Sequence, residues 1–236
     1  MAKSTITVDA GGYVVCKKSY GGADVTIQGP GSQTISATGF SNPYLNVYIY
    51  PNAGYEYTGY YNPDTVSLGF NATYKFKQII NYSYSATCTG GTVSPSSGTV
   101  RAGTQVKFTV TPNTNYVFDG WSDGNKSNPR TVTINSNLNL SASCHYKPLL
   151  TVTSQDTDQG TATCSTAGRV EPNTKHKMTA NPKANYRFIG WYSNAQLVTP
   201  DNPAKITVGS VDVTYQARFA STKHTVNVSF ASESSG

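Results

Sequence analysis

Charged residues are scarce in this 236-residue chain, at 13% of the sequence, and no apolar run approaches the about 20 residues that a membrane-spanning helix needs. Strong helix formers are also few, and no stretch repeats its apolar residues every 3.6 positions. Met1-Ala2-Lys3-Ser4 leads into no apolar segment, so we expect no secretory signal. These absences exclude a helical bundle and a membrane protein, and they argue against a Rossmann-type enzyme.

The positive charge of the chain is not concentrated enough to predict a nucleic-acid partner. Net charge is +6, and the basic residues are spread along the whole sequence. The densest group is typical of a solvated strand face rather than of a binding patch. Its members are Arg169, Lys175, Lys177, Lys183 and Arg187.

Three segments of the chain read alike. They are YPNAGYEYTGY (50–60), TPNTNYVFDGW (111–121) and NPKANYRFIGW (181–191). In each, a proline is followed by Tyr four residues later, an aromatic six later, Gly eight later and Trp or Tyr nine later. A repeat of this length indicates one small structural unit written three times.

Turn residues flank each of the three segments. Upstream lie Gly21-Gly22, Gly90-Gly91 and Gly160-Thr161, and downstream lie Asn62-Pro63, Asn128-Pro129 and Asn202-Pro203. Glycine supplies positive φ, proline fixes φ and asparagine tolerates the left-handed region, so these positions predict turns between short strands.

The strand before each proline alternates apolar and polar residues. This period of two predicts that one set of positions faces the core and that the other set, which includes Tyr48 and Tyr50, faces solvent. The positions that we expect in the core are Leu45, Val47, Ile49, Val106, Phe108, Val110, His176, Met178 and Ala180.

The middle unit carries a recognisable motif. It runs G-G-T-V-S-P-x-x-G (90–98), T-P-x-x-x-Y-x-F-x-G-W, then N-P and a closing strand, and it resembles the divergent internalin-type B-repeat. That repeat is a small immunoglobulin-like β module of bacterial surface proteins that also occurs in phage proteins. The third unit is similar to it, and the first departs, with Tyr60 in the Trp position. The resemblance implies a tandem adhesive or structural module without catalysis, and it carries over no functional residues.

The expected fold is therefore all-β, with three tandem small β-sandwich or immunoglobulin-like domains in an elongated array. We predict domain bounds of 1–78, 79–147 and 148–220, with a strand or tail at 221–236. The first domain is the most divergent and is the candidate attachment domain.

Residues that could carry chemistry have plainer structural interpretations. Trp121 and Trp191 are expected to fill the cores of their units. The neighbours Cys144 and His145 would point to opposite faces of a strand, so they cannot form a catalytic dyad. Asp156 begins an oxygen-rich turn, but this turn lacks the Glu that an EF-type calcium loop requires at its last position. We predict no enzyme activity, no cofactor and no metal site.

The cysteines Cys16, Cys88, Cys144 and Cys164 contain no CxxC pair, which leaves a zinc site without support. A disulfide between Cys88 and Cys144 is conceivable, since both fall in one unit. The repeat alignment argues against it, because Cys88 aligns with Asp158 at a surface turn while Cys144 aligns with the inward Phe76 and Phe219. We therefore expect reduced thiols.

Exposed tyrosines are the main candidates for an interface. Twelve of the 17 tyrosines lie in residues 1–84, and Tyr48, Tyr50 and Tyr61 fall on outward positions. Exposed tyrosine marks interfaces and sugar-binding surfaces. The alternative, which the sequence leaves open, is cross-strand pairing that only stabilises the sheet.

The carboxyl-terminal segment 223–230 alternates in the manner of one more strand. Val226, Val228 and Phe230 are its apolar positions, and an unpaired apolar strand needs a partner. It either caps its own domain or adds to the sheet of a neighbouring subunit.

Two functions fit these features. The first is a non-enzymatic bacteriophage virion protein, such as an auxiliary capsid, decoration or tail-associated protein that is assembled in the host cytoplasm and binds capsid or other virion proteins. The missing signal favours it. The alternative is an adhesion or carbohydrate-binding repeat fragment at the bacterial cell surface, with a host-surface glycan as partner. Neither function involves nucleic acid or a membrane.

Overall fold

The computed structural model describes residues 2–37, 43–59, 64–166 and 168–223. All regular structure within these ranges is β-strand, which confirms the predicted fold class. No helix that could cross a membrane occurs among the described residues. Each repeat forms more than one sheet, as an immunoglobulin-like sandwich does.

The described residues of the first repeat form nine strands. They are β1 (Ala2–Val8), β2 (Gly12–Lys18), β3 (Val25–Gln28), β4 (Gly31–Ala37), β5 (Tyr44–Pro51), β6 (Tyr55–Tyr57), β7 (Asp64–Ser67), β8 (Ala72–Tyr74) and β9 (Phe76–Gln78). The sheet orders are β4-β1-β8, β3-β2-β5-β7 and β6-β9.

The second repeat contains seven strands. They are β10 (Asn81–Thr89), β11 (Gly91–Ser94), β12 (Ser97–Arg101), β13 (Thr104–Pro112), β14 (Tyr116–Trp121), β15 (Arg130–Ile134) and β16 (Leu138–Tyr146). The sheet orders are β12-β10-β16-β14 and β11-β13-β15.

The part of the third repeat that the structure describes forms eight strands. They are β17 (Leu149–Ser154), β18 (Gly160–Cys164), β19 (Gly168–Arg169), β20 (Lys175–Pro182), β21 (Tyr186–Ser193), β22 (Gln196–Thr199), β23 (Ala204–Thr207) and β24 (Val213–Ser221). The sheet orders are β19-β17-β24-β21-β22 and β18-β20-β23. Strand β22 is additional to the pattern of the second repeat and occupies the longer loop after Trp191.

The described residues group into two compact units by their internal contacts. One unit takes in the described residues up to Ser85 together with Ser97–Val106 and Thr131–Asn139. The other takes in Ala86–Ser96, Lys107–Arg130 and the described residues from Leu140 onward. The domain bounds 1–78, 79–147, 148–220 and 221–236 remain a prediction.

The alternation along the central strands β5, β13 and β20 places the predicted residues in the core. All nine of those expected to face inward are buried, and the largest exposed fraction among them is 7%. The positions between them are exposed or half-buried. The period-two pattern therefore decides which face of each central strand meets the core.

One strand-pairing register is shared by all three repeats. The proline at the end of each central strand pairs with a glycine: Pro51 with Gly12, Pro112 with Gly91 and Pro182 with Gly160. In the first repeat the equivalent glycine is thus Gly12, so the predicted equivalence of Gly21-Gly22 is wrong. The composition of the Gly21-Gly22 turn resembled the other two, but its place in the pairing differs.

The glycine in this register is required by close packing. A Cβ added at Gly12 would lie 2.3 Å from the Phe76 ring, and one at Gly160 would lie 2.6 Å from the Phe219 ring. Only glycine leaves room for an aromatic ring at that distance.

The two tryptophans are buried, as predicted. Trp121 is 4% exposed and packs edge-on against Phe108 and Phe118, at centroid distances of 6.2 and 6.1 Å. Trp191 is completely buried, with its ring centroid 5.5 Å from that of Phe188. Such pairs stabilise a small core beyond the area that they bury.

The asparagine of each Asn-Pro pair in the second and third repeats has a role that a turn does not require. Asn128 accepts a hydrogen bond from the Val110 N–H (2.9 Å) and donates one to the Val110 carbonyl (2.8 Å). Asn202 makes the same two bonds with Ala180, at 2.9 and 2.7 Å. The side-chain amide thereby takes the place of a neighbouring strand's peptide group.

Cys88 lies elsewhere than the repeat alignment predicted. Strand β10 continues to Thr89, whereas its counterpart β17 ends at Ser154 and gives way to a turn. Cys88 therefore stays in the sheet and is half-buried, with its Sγ 3.6 Å from the Sγ of Cys144. Both are free cysteines in the structure, and the expectation that they lie apart is wrong.

Candidate interaction surface

The outward face of strands β2 and β5 carries the tyrosines that the sequence singled out. The antiparallel register sets Tyr50 opposite Tyr13 and Tyr48 opposite Val15. Tyr50 is 42% exposed, and Tyr48 and Tyr13 are half-buried. The predicted outward orientation of Tyr48 and Tyr50 is therefore correct. We call Tyr13, Tyr48, Tyr50 and Lys17 the tyrosine face.

The aromatic rings of the tyrosine face are held in place by their neighbours. The rings of Tyr13 and Tyr50 stack with centroids 4.9 Å apart and planes 12° from parallel. The ammonium of Lys17 lies 5.0 Å from the centroid of the Tyr48 ring, a cation–π contact. Rings fixed in this way lose little side-chain freedom when they bind a partner.

The Tyr13–Tyr50 stack is relevant to both interpretations of the exposed tyrosines: an interface, or cross-strand pairing that only stabilises the sheet. Direct cross-strand pairing of Tyr13 with Tyr50 is the stabilising contact that the second interpretation expects. A stacked pair still presents its ring edges and remaining exposed surface to solvent. The geometry is thus compatible with an interface, and it supplies Tyr13, which the sequence did not single out. The feature that could have identified Tyr13 is the pairing of Gly12 with Pro51, because that register sets Tyr13 opposite Tyr50.

The other predicted interface residues cannot be placed. Tyr61, Val226, Val228 and Phe230 lie outside the described residues.

A cluster of polar side chains lies where the second repeat meets the third, inside one of the two compact units. The Asp212 Oδ1 accepts hydrogen bonds from the Tyr146 hydroxyl (2.8 Å) and the Leu149 N–H (2.7 Å). Arg169 donates to the Tyr146 hydroxyl (2.9 Å) and the Lys147 carbonyl (2.8 Å). Asp212 is therefore held ionised, with its pKa below the usual range because of the Leu149 N–H first and the Tyr146 hydroxyl next.

His145 bridges two carboxylates in the same region. Its Nδ1 lies 2.5 Å from the Asp119 Oδ1, and its Nε2 lies 2.6 Å from the Glu171 Oε2. Carboxylates only accept, so both contacts are hydrogen bonds only when the ring is a doubly protonated imidazolium. Lys147 also pairs with Glu171, at 2.7 Å. No spacing in the sequence predicts this cluster, because its members come from separate strands and loops.

The His145 bridge predicts a pH dependence. The hydrogen bonds to Asp119 and then Glu171 raise the pKa of His145 above its ordinary value of about 6.5. A raised pKa in the folded state means that the bridge contributes its full stability below about pH 6.5 and loses it as pH rises through the raised value. The thermal midpoint should therefore fall more between pH 5.5 and 8.5 in the natural chain than in His145→Gln. Equal falls in both proteins would contradict this assignment.

Comparisons with known proteins were consistent with the repeat pattern. A family model described as "Divergent InlB B-repeat domain" matches residues 82–148 and residues 150–223, in two tandem copies. The first repeat lies outside this match. A search of curated proteins gives no significant match.

Three solved structures of bacterial proteins are similar to this chain at low sequence identity. The TIE protein of Bacillus anthracis is 10% identical, with a TM-score of 0.38, over 93% of this chain and 50% of that one. Shaft pilin SpaA of Lactobacillus rhamnosus GG is 10% identical, with a TM-score of 0.24, over 91% and 97%. The major pilin of Streptococcus pyogenes is 8% identical, with a TM-score of 0.19, over 92% and 96%. This chain spans half the length of the TIE chain.

Proposed function

Because the chain belongs to the divergent InlB B-repeat family, we propose that it is a non-catalytic repeat segment of a bacterial surface protein that contacts a glycan through the tyrosine face of its first repeat. This proposal corresponds to the second of the two functions that fit the sequence, a repeat fragment at the bacterial cell surface. B-repeats are common in bacterial surface proteins, so family membership favours it over the virion interpretation, which stays a prediction.

The observation that carries the proposal is the contrast between the outward faces of the central strands. Tyr48 and Tyr50 occupy outward positions in the first repeat, where the second has Thr109 and Thr111. Threonines on an exposed strand face need no partner, whereas a fixed set of tyrosines offers a large contact area. Each tyrosine also joins an apolar ring to a polar hydroxyl, which suits the alternating apolar and polar surfaces of a sugar.

The junction between the two matched copies supports a spacer role for the rest of the chain. The Asp212 carboxylate of the third repeat binds the Tyr146 hydroxyl of the second and the backbone N–H of Leu149 between them. These bonds, together with the contact between His145 and Glu171, fasten one copy to the next. A fastened junction suits two copies that serve together as one spacer segment.

The test replaces the exposed tyrosines with the residue type found in the second repeat. The full chain and its Tyr48→Thr/Tyr50→Thr variant are applied to an array of immobilised bacterial and host glycans. Loss of two aromatic contacts should weaken binding to the recognised glycan at least about tenfold. The fold should stay intact, because the lost Tyr13–Tyr50 stack and Lys17–Tyr48 contact should each cost no more than about 1 kcal/mol.

The matched control is Thr109→Ala/Thr111→Ala, which alters the equivalent positions of the second repeat and should bind as the natural chain does. Failure of the natural chain to bind any glycan, or equal binding by the tyrosine variant, would refute the proposal.

A further inference from the structure

Two cysteines of the second repeat meet in the sheet. Cys88 on β10 and Cys144 on β16 belong to neighbouring strands, and their sulfurs are 3.6 Å apart. They are 56 positions apart in the chain, so the fold and not sequence proximity brings them together. Among the described residues, neither Cys16 nor Cys164 has a sulfur partner of this kind.

The pair occupies a defined place in the repeat. In the pairing of β14 with β16, Cys144 lies opposite Phe118. Phe76 and Phe219 hold the equivalent position in the other two repeats, where they lie opposite Tyr57 and Phe188. In those repeats the phenylalanine ring lies against Gly12 or Gly160.

In the second repeat the sulfur of Cys88 takes part of that space. A Cβ added at the equivalent Gly91 would lie 3.3 Å from the Cys88 Sγ. Two small sulfur-bearing side chains thus lie where one phenylalanine ring lies elsewhere. The two cysteines therefore pack together at the edge of the core, and their contact is not a chance meeting at the protein surface.

We propose that Cys88 and Cys144 form a redox-active dithiol that closes to a disulfide when the chain meets a small-molecule disulfide oxidant. The sulfurs need to approach from 3.6 Å to a bond length of about 2.05 Å, which side-chain rotation can supply. Closure of this disulfide does not depend on glycan binding.

The reaction is two steps of thiol–disulfide exchange. The Cys88 thiolate attacks one sulfur of the oxidant, forms a mixed disulfide and releases one thiolate. Cys144 then loses its proton and attacks the Cys88 Sγ, which releases the second thiolate. Two protein thiols are oxidised to one disulfide, and the oxidant is reduced to two thiols.

The surroundings of the two sulfurs set the order of attack. Cys88 is half-buried and within reach of a small oxidant, whereas Cys144 is 7% exposed. Burial, followed by the contact with Cys88, raises the pKa of Cys144 to about 12, so its thiolate is rare at neutral pH. Cys88 is therefore the entry thiol and Cys144 the resolving one, and closure should speed up as pH rises.

Closure would join the first and last regions of the second repeat. A cross-link between residues so far apart in sequence restricts the unfolded chain strongly and stabilises the fold. The oxidised protein should therefore melt at a temperature higher by about 10 °C, and a reductant should reverse the change.

The experiment treats the full, folded chain with oxidised glutathione at pH 8 and then blocks the remaining thiols with iodoacetamide. Intact mass and a non-reducing peptide map should show that two of the four thiols are lost and that the peptides containing Cys88 and Cys144 are joined. Melting before and after reduction gives the temperature shift.

Two variants make the outcome decisive. Cys164→Ser should still form the cross-link, and Cys88→Ser should lose no thiol pair under the same treatment. A persistent glutathione adduct on Cys88 without closure, a cross-link to another cysteine, or four unreacted thiols would each overturn the proposal.

Discussion

Replacing Trp191 with alanine should lower the free energy of unfolding of the third repeat by about 3–5 kcal/mol. The side chain is completely buried at the centre of a cluster that includes Met178 and Phe219 from the two sheets. Removing it leaves a cavity that a core of this size cannot refill by small shifts. Urea unfolding followed by circular dichroism measures the loss.

Conservative variants separate packing from hydrogen bonding at the two tryptophans. The Trp121 Nε1–H donates to the Ser127 carbonyl (2.9 Å), whereas the Trp191 Nε1–H has no partner among the described residues. Trp121→Phe should therefore cost more than Trp191→Phe, because only the first leaves a carbonyl without its donor. A cost below about 1 kcal/mol for Trp191→Ala would show that this indole is not central to the core.

Replacing Asn202 with alanine should cost about 2–4 kcal/mol, because it leaves two buried backbone groups without partners. The Ala180 N–H and carbonyl lie beyond the last residue pair between β20 and β23, which is Met178 with Ala204. The Asn202 amide extends the ladder by one position there, and Ala180 is 3% exposed. Unfolding in urea gives the cost.

Hydrogen exchange at the Ala180 amide distinguishes this mechanism from a general loss of stability. Asn202→Asp keeps an oxygen that accepts from the Ala180 N–H but sets its second carboxylate oxygen, which cannot donate, against the Ala180 carbonyl. It should therefore retain protection at that amide while recovering little of the stability lost in Asn202→Ala. Asn128→Ala should expose the Val110 amide of the second repeat in the same way. Unchanged protection at either amide would contradict the assigned role.

The alternation of apolar residues was enough to predict the fold class and the core positions of the central strands. Leu45 and Met178 lie in unrelated sequence contexts, yet both are buried because a strand directs every second side chain to one face. The register of the β2–β5 pair in the first repeat was harder to predict. Gly12 and Gly21 are equivalent as turn formers, and only the pairing with Pro51 distinguishes them.

Contacts between side chains distant in sequence could not be predicted from one sequence. Asn202 reads as a turn residue beside a proline, and nothing local indicates that its amide reaches Ala180. Asp212 likewise reads as a loop residue, although it fastens Tyr146 and Leu149. Cys88 was misplaced because its strand is longer than the equivalent strand of the third repeat. These contacts depend on strand lengths and on tertiary packing.

Display on the bacterial surface is the central claim, and protease treatment of intact cells tests it most directly. Live bacterial cells that produce this chain are treated briefly with trypsin, and the released peptides are identified by mass spectrometry beside those from a cell lysate and from purified phage particles. Surface display predicts that peptides of this chain are released from intact cells. Their recovery from phage particles, with none released from intact cells, would contradict the account and support the virion interpretation.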